Sequence, residues 1–198
     1  AIPAAGAFQL SVPIDCPADM GCYIQQYVDT DPGPGAEDYA CGTLSYDGHT
    51  GTDFALPTLA DLDAGVPVRA AAPGTVRGVR DGMADRLYTP EMAEALDGRG
   101  CGNGVAIRHE DGWETQYCHL RRGSIAVRAG DTVARGDLLG EVGLSGRTEF
   151  PHVEFILRRD GETVDPFDPT GDDVCGTASD DALWIAPPAY RAGGLLDA

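Results

Sequence analysis

Short runs of branched and aromatic residues, each closed by a glycine-bearing turn, limit what this chain can fold into more than any other feature. Val105-Ala106-Ile107-Arg108-His109 and Trp113-Glu114-Thr115-Gln116-Tyr117 flank Glu110-Asp111-Gly112, the pattern of a β-hairpin. Residues 125–127, 132–133 and 138–142 read as short strands between Gly-Asp and Arg-Gly-Asp turns, and 153–159 with 163–164 as a last hairpin around Asp160-Gly161. Residues 23–28 form an earlier strand, and 67–79 form two strands meeting at Pro73-Gly74. Helix is confined to short pieces. One turn spans 58–65, with Thr58 as N-cap and Gly65 as terminator; a short helix spans 89–98, with Pro90 at its first position and Gly98 at its close. The expectation is a mainly β chain: a single domain on an antiparallel, barrel-like β-sheet with short helical insertions.

A chain of 198 residues is long enough for one domain with a sizeable core. Residues 1–44 read as an N-terminal extension packed on the body, 45–168 as the body with an insertion at 81–100, and 169–198 as a tail anchored by Trp184 and Ile185. No apolar run is long enough for a membrane span. The formal charge of -18 makes nucleic acid a poor partner. All 14 basic residues are Arg, which excludes a lysine-borne biotin or lipoate despite the glycine-rich stretch 130–137. Ser145 lacks the glycine two residues on that a nucleophile elbow needs, so a serine hydrolase is excluded too. The six Cys suit disulfides in an oxidising compartment, periplasmic or secreted, with any signal peptide already removed. Folding the hairpin about Asp111 brings Cys101 and Cys118 to one end, predicting a bridge there. Cys16–Cys22 then closes a local loop, which leaves Cys41 with Cys175; six Cys allow about fifteen pairings in all.

The chemistry gathers at three stretches. Tyr46-Asp47-Gly48-His49-Thr50-Gly51-Thr52-Asp53 carries a histidine and an aspartate four residues apart, a nitrogen and an oxygen donor that a borderline metal accepts. Tyr117-Cys118-His119-Leu120 ends one strand. Pro151-His152-Val153-Glu154-Phe155 opens another, and alternation puts His152 and Glu154 on one face with Val153 and Phe155 on the other. The fourth histidine, His109, lies at a hairpin end and reads as structural or simply exposed.

Together these stretches resemble the lysostaphin/LytM-type zinc endopeptidases, which cut peptide bonds in bacterial peptidoglycan. The match runs from about Asp47 to Pro166 and includes Gly74-Thr75-Val76, Gly102-Asn103-Gly104-Val105 and Asp165-Pro166 in the family's order. The resemblance implies a barrel-sandwich-type core, His49 and Asp53 as metal ligands, and His119 and His152 as catalytic histidines. It also locates one departure: the family's third ligand, the second His of a His-x-His pair, is Glu154 here. A carboxylate can ligate zinc, so the implied set is His49, Asp53 and Glu154 around one Zn2+. Two carboxylates would neutralise the ion, making a harder cation such as Mn2+, or an empty site, the alternatives. The implied function is metal-dependent hydrolysis of peptidoglycan peptides by a monomer. The alternative is an inactive domain of the same fold that binds peptidoglycan or activates a partner hydrolase. The insertion's helix is expected to wall the substrate groove.

Overall fold

Strand-length runs between glycine turns become ten β-strands in the computed structural model, which describes residues 7–171 and 180–191. In chain order they are β1 (Tyr23–Gln26), β2 (Thr52–Ala55), β3 (Pro67–Arg69), β4 (Gly74–Arg80), β5 (Asn103–Arg108), β6 (Trp113–Leu120), β7 (Thr132–Val133), β8 (Leu138–Glu141), β9 (His152–Arg159) and β10 (Glu162–Thr163). One antiparallel sheet runs β1-β2-β9-β6-β5-β4-β7, with β10 on β9; β3 and β8 form a second, two-stranded sheet. The fold is mainly antiparallel β with very little helix, as expected. The two strands meeting at Pro73-Gly74 do not pair with each other; they belong to different sheets.

Alternation along the central strands sorts the core from the cleft. Tyr117 on β6 lies opposite Phe155 on β9 and Val105 on β5, and these rings and branched chains are buried with Val68, Ala70 and Leu139. The other face carries Asp53, Glu154 and Cys118 in one row, because Asp53 pairs with Glu154 and Glu154 with Cys118. The N-terminal segment supplies β1 as an edge strand on β2, and Phe8 stacks on Trp113 at 4.7 Å. The Cys16–Cys22 and Cys101–Cys118 disulfides form as expected, while Cys175 lies outside the described residues.

Three expectations need correction. Residues 125–127 are not a strand: Ala126 N–H reaches Leu139 O, but the neighbouring Glu141 N–H is taken by the Ser124 hydroxyl, which replaces the ladder bond. Residues 89–98 hold two single 3₁₀ turns, Pro90–Met92 and Glu94–Leu96, not one helix. Only Leu96 is buried there, so no apolar face supports a longer helix. Trp184 is buried against Phe54, Phe155 and Phe167, but Ile185 is 51% exposed. The extended pairing that turns Trp184 inward beside Leu10 turns its neighbour outward. The turn at 58–65 is as expected: a 3₁₀ helix, Leu59–Ala64, is closed by Gly65 in the left-handed conformation.

Candidate metal centre and cleft

Each of three histidines has one ring nitrogen committed to a backbone carbonyl. His49 Nδ1 lies 2.7 Å from Tyr27 O, His119 Nδ1 2.8 Å from Ser145 O, and His152 Nδ1 2.9 Å from Phe150 O. A carbonyl only accepts, so Nδ1 carries the proton in every case and Nε2 is the free position. All three Nε2 atoms turn toward two carboxylates. His49 Nε2 is 3.3 Å from Asp53 Oδ1 and 3.8 Å from Glu154 Oε1; His119 Nε2 is 3.3 Å from Glu154 Oε2; His152 Nε2 is 3.6 Å from Asp53 Oδ1.

Local sequence explains the convergence. Gly51 is required between His49 and Asp53 because a Cβ there would lie 2.7 Å from Glu154 Cγ. His119 has a left-handed backbone, with φ of 64°, a conformation that costs a non-glycine residue about 1–2 kcal/mol. It is held by its N–H to Cys101 O at 2.8 Å and by the Cys101–Cys118 bridge beside it. Alternation would send His119 to the face of Tyr117; the left-handed residue breaks that alternation, and the imidazole joins Glu154 in the cleft.

The residues fit a cation. His49, Asp53 and Glu154 offer three ligand atoms within 4.8 Å of one another. His49 Nε2 and Asp53 Oδ1 are buried and make no hydrogen bond. Neutral Nε2 and carboxylate oxygen are both acceptors, and Asp53 and Glu154 are like charges directly opposite on paired strands. Such a cluster is unfavourable unless positive charge lies within it. The acid–base properties agree. Burial opposes charge on His49, but the neighbouring Asp53 carboxylate, with Tyr27 O and Glu154, holds its pKa above the ordinary value. Burial would raise Asp53, yet His152, His49 and His119 keep it below the usual carboxylate range. His152 is pushed down to about 4, chiefly by burial.

All five residues singled out from the sequence therefore line one cleft, with a volume of about 770 Å³. His109 does not join them. It is buried, neither exposed nor in the cleft, with Nδ1 on Pro73 O at 2.7 Å and Nε2 on Thr115 Oγ1 at 2.8 Å. Sequence reasoning missed other cleft residues. Tyr46, quoted with the first motif but given no part, packs its ring 4.5 Å from His49; Phe150 stacks on His152 at 4.2 Å. Tyr88 and Arg147 also line the cleft, and no local signal marks either. The turns at Pro90–Met92 and Glu94–Leu96 are not among the lining residues, so from residues 81–100 it is Tyr88 and Gly100 that wall the cleft.

Residues 47–166 match the model of Peptidase family M23. The chain is 36% identical over 120 residues to the DD-carboxypeptidase/endopeptidase Mpg of Neisseria meningitidis, covering 60% of this chain and 22% of that protein. It is 33% identical over 116 residues to the peptidoglycan DD-endopeptidase ShyA of Vibrio cholerae, covering 59% of this chain and 21% of that protein. The chain thus spans about a fifth of the length of these curated relatives. Among solved structures, the catalytic domain of the A109H mutant of the prophage-encoded M23 protein EnpA from Enterococcus faecalis superposes with a TM-score of 0.54 at 26% identity. That likeness covers 83% of this chain and 99% of the other.

Proposed function

Because the chain belongs to peptidase family M23, we propose that it is a metal-dependent endopeptidase hydrolysing peptide bonds of bacterial cell-wall peptidoglycan, in the periplasm or outside the cell. The observation that carries this reading is the set of buried acceptors without partners, His49 Nε2 and Asp53 Oδ1, converging with Glu154 within 4.8 Å. The peptidoglycan endopeptidases among its relatives support the substrate class. The disulfides suit an oxidising compartment, and among the described residues no helix is long and apolar enough to cross a membrane.

His49, Asp53 and Glu154 would hold one Zn2+, or a harder cation such as Mn2+ given two carboxylates. When bound, the ion supplies Lewis acidity to the scissile carbonyl and to a water. The remaining steps belong to the chain. Tyr27 O fixes the His49 ring so that Nε2 keeps its lone pair for ligation. Glu154 turns Oε1 to His49 and Oε2 to His119, so a single carboxylate both ligates and orients the neighbouring imidazole. His152, whose Nδ1 is committed to Phe150 O, leaves Nε2 free to take a proton. His119 holds and returns a proton at its own Nε2, its Nδ1 anchored on Ser145 O.

Metal analysis of purified protein, paired with release of peptide fragments from cell wall, tests the reading. Glu154→Ala is expected to lose the metal; Glu154→His is expected to keep it and to hydrolyse faster, since it restores one positive charge to the centre. If both variants hold metal as the parent does, Glu154 is not a ligand. A parent that retains metal yet releases nothing, with Glu154→His equally inert, replaces hydrolysis by a binding role.

A further inference from the structure

Arg147 is the one Arg among the cleft-lining residues, where Asp47, Asp53, Glu149 and Glu154 supply four carboxylates. Among the described residues its guanidinium makes no ion pair and no side-chain hydrogen bond. Three arginines elsewhere pair with carboxylates: Arg69 with Asp15, Arg77 with Glu114, Arg121 with Glu141. Glu149 is only two residues away, yet Arg147 instead lies over the Tyr88 ring, 5.3 Å from its centroid.

That pose is built by the backbone. Tyr88 N–H donates to Thr148 O at 2.8 Å, Arg86 N–H to Leu144 O at 2.9 Å, and Arg147 N–H to Gly100 O at 2.7 Å. Residues 86–88, Gly100 and the loop 144–148 are thereby knit into one rim that sets the guanidinium and the phenol side by side. The guanidinium shares its cleft with Tyr46, Asp53 and Glu154. Tyr46 in turn packs on His49. A planar guanidinium with its fork unused, in the cleft that also holds His49, Asp53 and Glu154, matches a planar anion.

We propose that Arg147, propped on Tyr88, is a specificity determinant of the cleft, receiving a carboxylate that the peptide carries beside the amide to be cut. This rests on the reading of the cleft as a peptidase site. A carboxylate-bearing peptide is otherwise repelled by a rim of Asp and Glu on a protein of charge -18, so one cation decides whether it can dock. Stem peptides of peptidoglycan offer such a group in two places, at a free C-terminus and beside a cross-link. The chemistry is shared and the source is left to the experiment. Tyr88 is a positioning residue: it holds the guanidinium over the cleft and away from Glu149.

The test uses metal-loaded protein and two pairs of synthetic peptides. One pair is a linear stem peptide with its C-terminus free or amidated; the other is a cross-linked stem dimer with the carboxylate beside the cross-link free or amidated. Binding is read by calorimetry and cleavage by chromatography. The parent is expected to favour the free carboxylate in one pair by about tenfold or more, and that pair identifies the source. Arg147→Gln should erase the preference through KM and binding with kcat and metal content little changed, and Arg147→Lys should restore it in part. Tyr88→Ala should weaken the preference, and Tyr88→Phe should preserve it. Equal binding of free and amidated forms by the parent, or a preference that survives Arg147→Gln, overturns the proposal. Binding without cleavage would refute the peptidase reading while still deciding the role of Arg147.

Discussion

Of the four buried histidines, His109 packs on the core side of the sheet and three line the cleft, and hydrogen bonding separates the two kinds. On the core face, His109, Thr115 and Tyr117 form a closed chain. Ala71 N–H donates to Tyr117 Oη at 2.8 Å, Tyr117 and Thr115 hydroxyls meet at 3.2 Å, and Thr115 bonds His109 Nε2 while Nδ1 serves Pro73 O. Every donor has an acceptor when His109 is neutral. On the cleft face, His49, His119 and His152 use Nδ1 in the same way, yet their Nε2 atoms face carboxylates, and two buried acceptor atoms have no hydrogen bond. The lesson is that burial of a histidine says little about its role. A fully paired one is part of the fold, and one left with converging lone pairs is arranged for something the chain itself does not supply.

The largest test exchanges the two kinds of histidine for alanine. His49→Ala is expected to lose the metal and to lower hydrolysis by about a thousandfold, the equivalent of some 4 kcal/mol in the barrier. The metal-free variant also leaves a cavity and an orphaned Tyr27 O, but removing an unpaired acceptor relieves a crowded cluster and offsets part of that cost, so it should lose less stability than His109→Ala does. His109→Ala should do the reverse. Metal content and kcat should persist, while stability in urea falls by about 2–4 kcal/mol for the cavity and the orphaned Thr115 and Pro73 groups. Metal loss in His109→Ala, or destabilisation of metal-free His49→Ala as large as that of His109→Ala, breaks the distinction.

A second test sharpens it within the cleft. His119 is held in a left-handed conformation by Cys101 O and the Cys101–Cys118 bridge, whereas His109 is held by hydrogen bonds and by packing against Phe8. Replacing both cysteines by alanine should let His119 relax, lowering kcat by about 10²-fold through misplacement. Metal content should hold, because His49, Asp53 and Glu154 lie outside the bridge. Unchanged kcat would mean that Cys101 O and Ser145 O suffice to hold the ring.

How much of this was legible in the sequence follows the range of the interactions. Glu110-Asp111-Gly112 announced its hairpin because Asp111 and Gly112 adopt positive φ, of 55° and 79°, as local chemistry favours. The Cys101–Cys118 bridge followed from that hairpin's register. His152 and Glu154 could be assigned to one face from alternation, and the resemblance joined them to His49, Asp53 and His119. What supports the site was not legible. Tyr27 O, which orients His49, is 22 residues away just past the end of β1, and a backbone carbonyl leaves no trace in residue type. Tyr88 and Arg147 meet only because backbone bonds knit two separate loops into one rim. The strand expected at 125–127 failed for a related reason, since the Ser124 hydroxyl took the place of a backbone partner.

The smallest expected effect is on the pH dependence of stability, where His109 and His49 should contribute with opposite sign in metal-free protein. Burial holds His109 below its ordinary value of 6.5, against the pull of Pro73 O and Glu114. Between its folded and unfolded pKa values the unfolded chain therefore binds more protons, so stability rises with pH. Its contribution is fully present above the unfolded value of 6.5 and is lost as the pH falls from there through the folded pKa. His49 is shifted the other way, so its contribution is present below its unfolded value of 6.5 and is lost as the pH rises through its folded pKa. His152, pushed down to about 4, adds to the loss on the acid side, so each variant must be compared with the parent and not with a flat baseline. Urea midpoints measured in chelator from pH 5 to 8 should show a shallower acid-side fall in His109→Gln and a shallower alkaline-side fall in His49→Ala. An acid-side slope that His109→Gln leaves intact would mean that the closed chain through Thr115 and Tyr117 tolerates a second proton on the imidazole, and the contrast between the faces would then rest on the cleft alone.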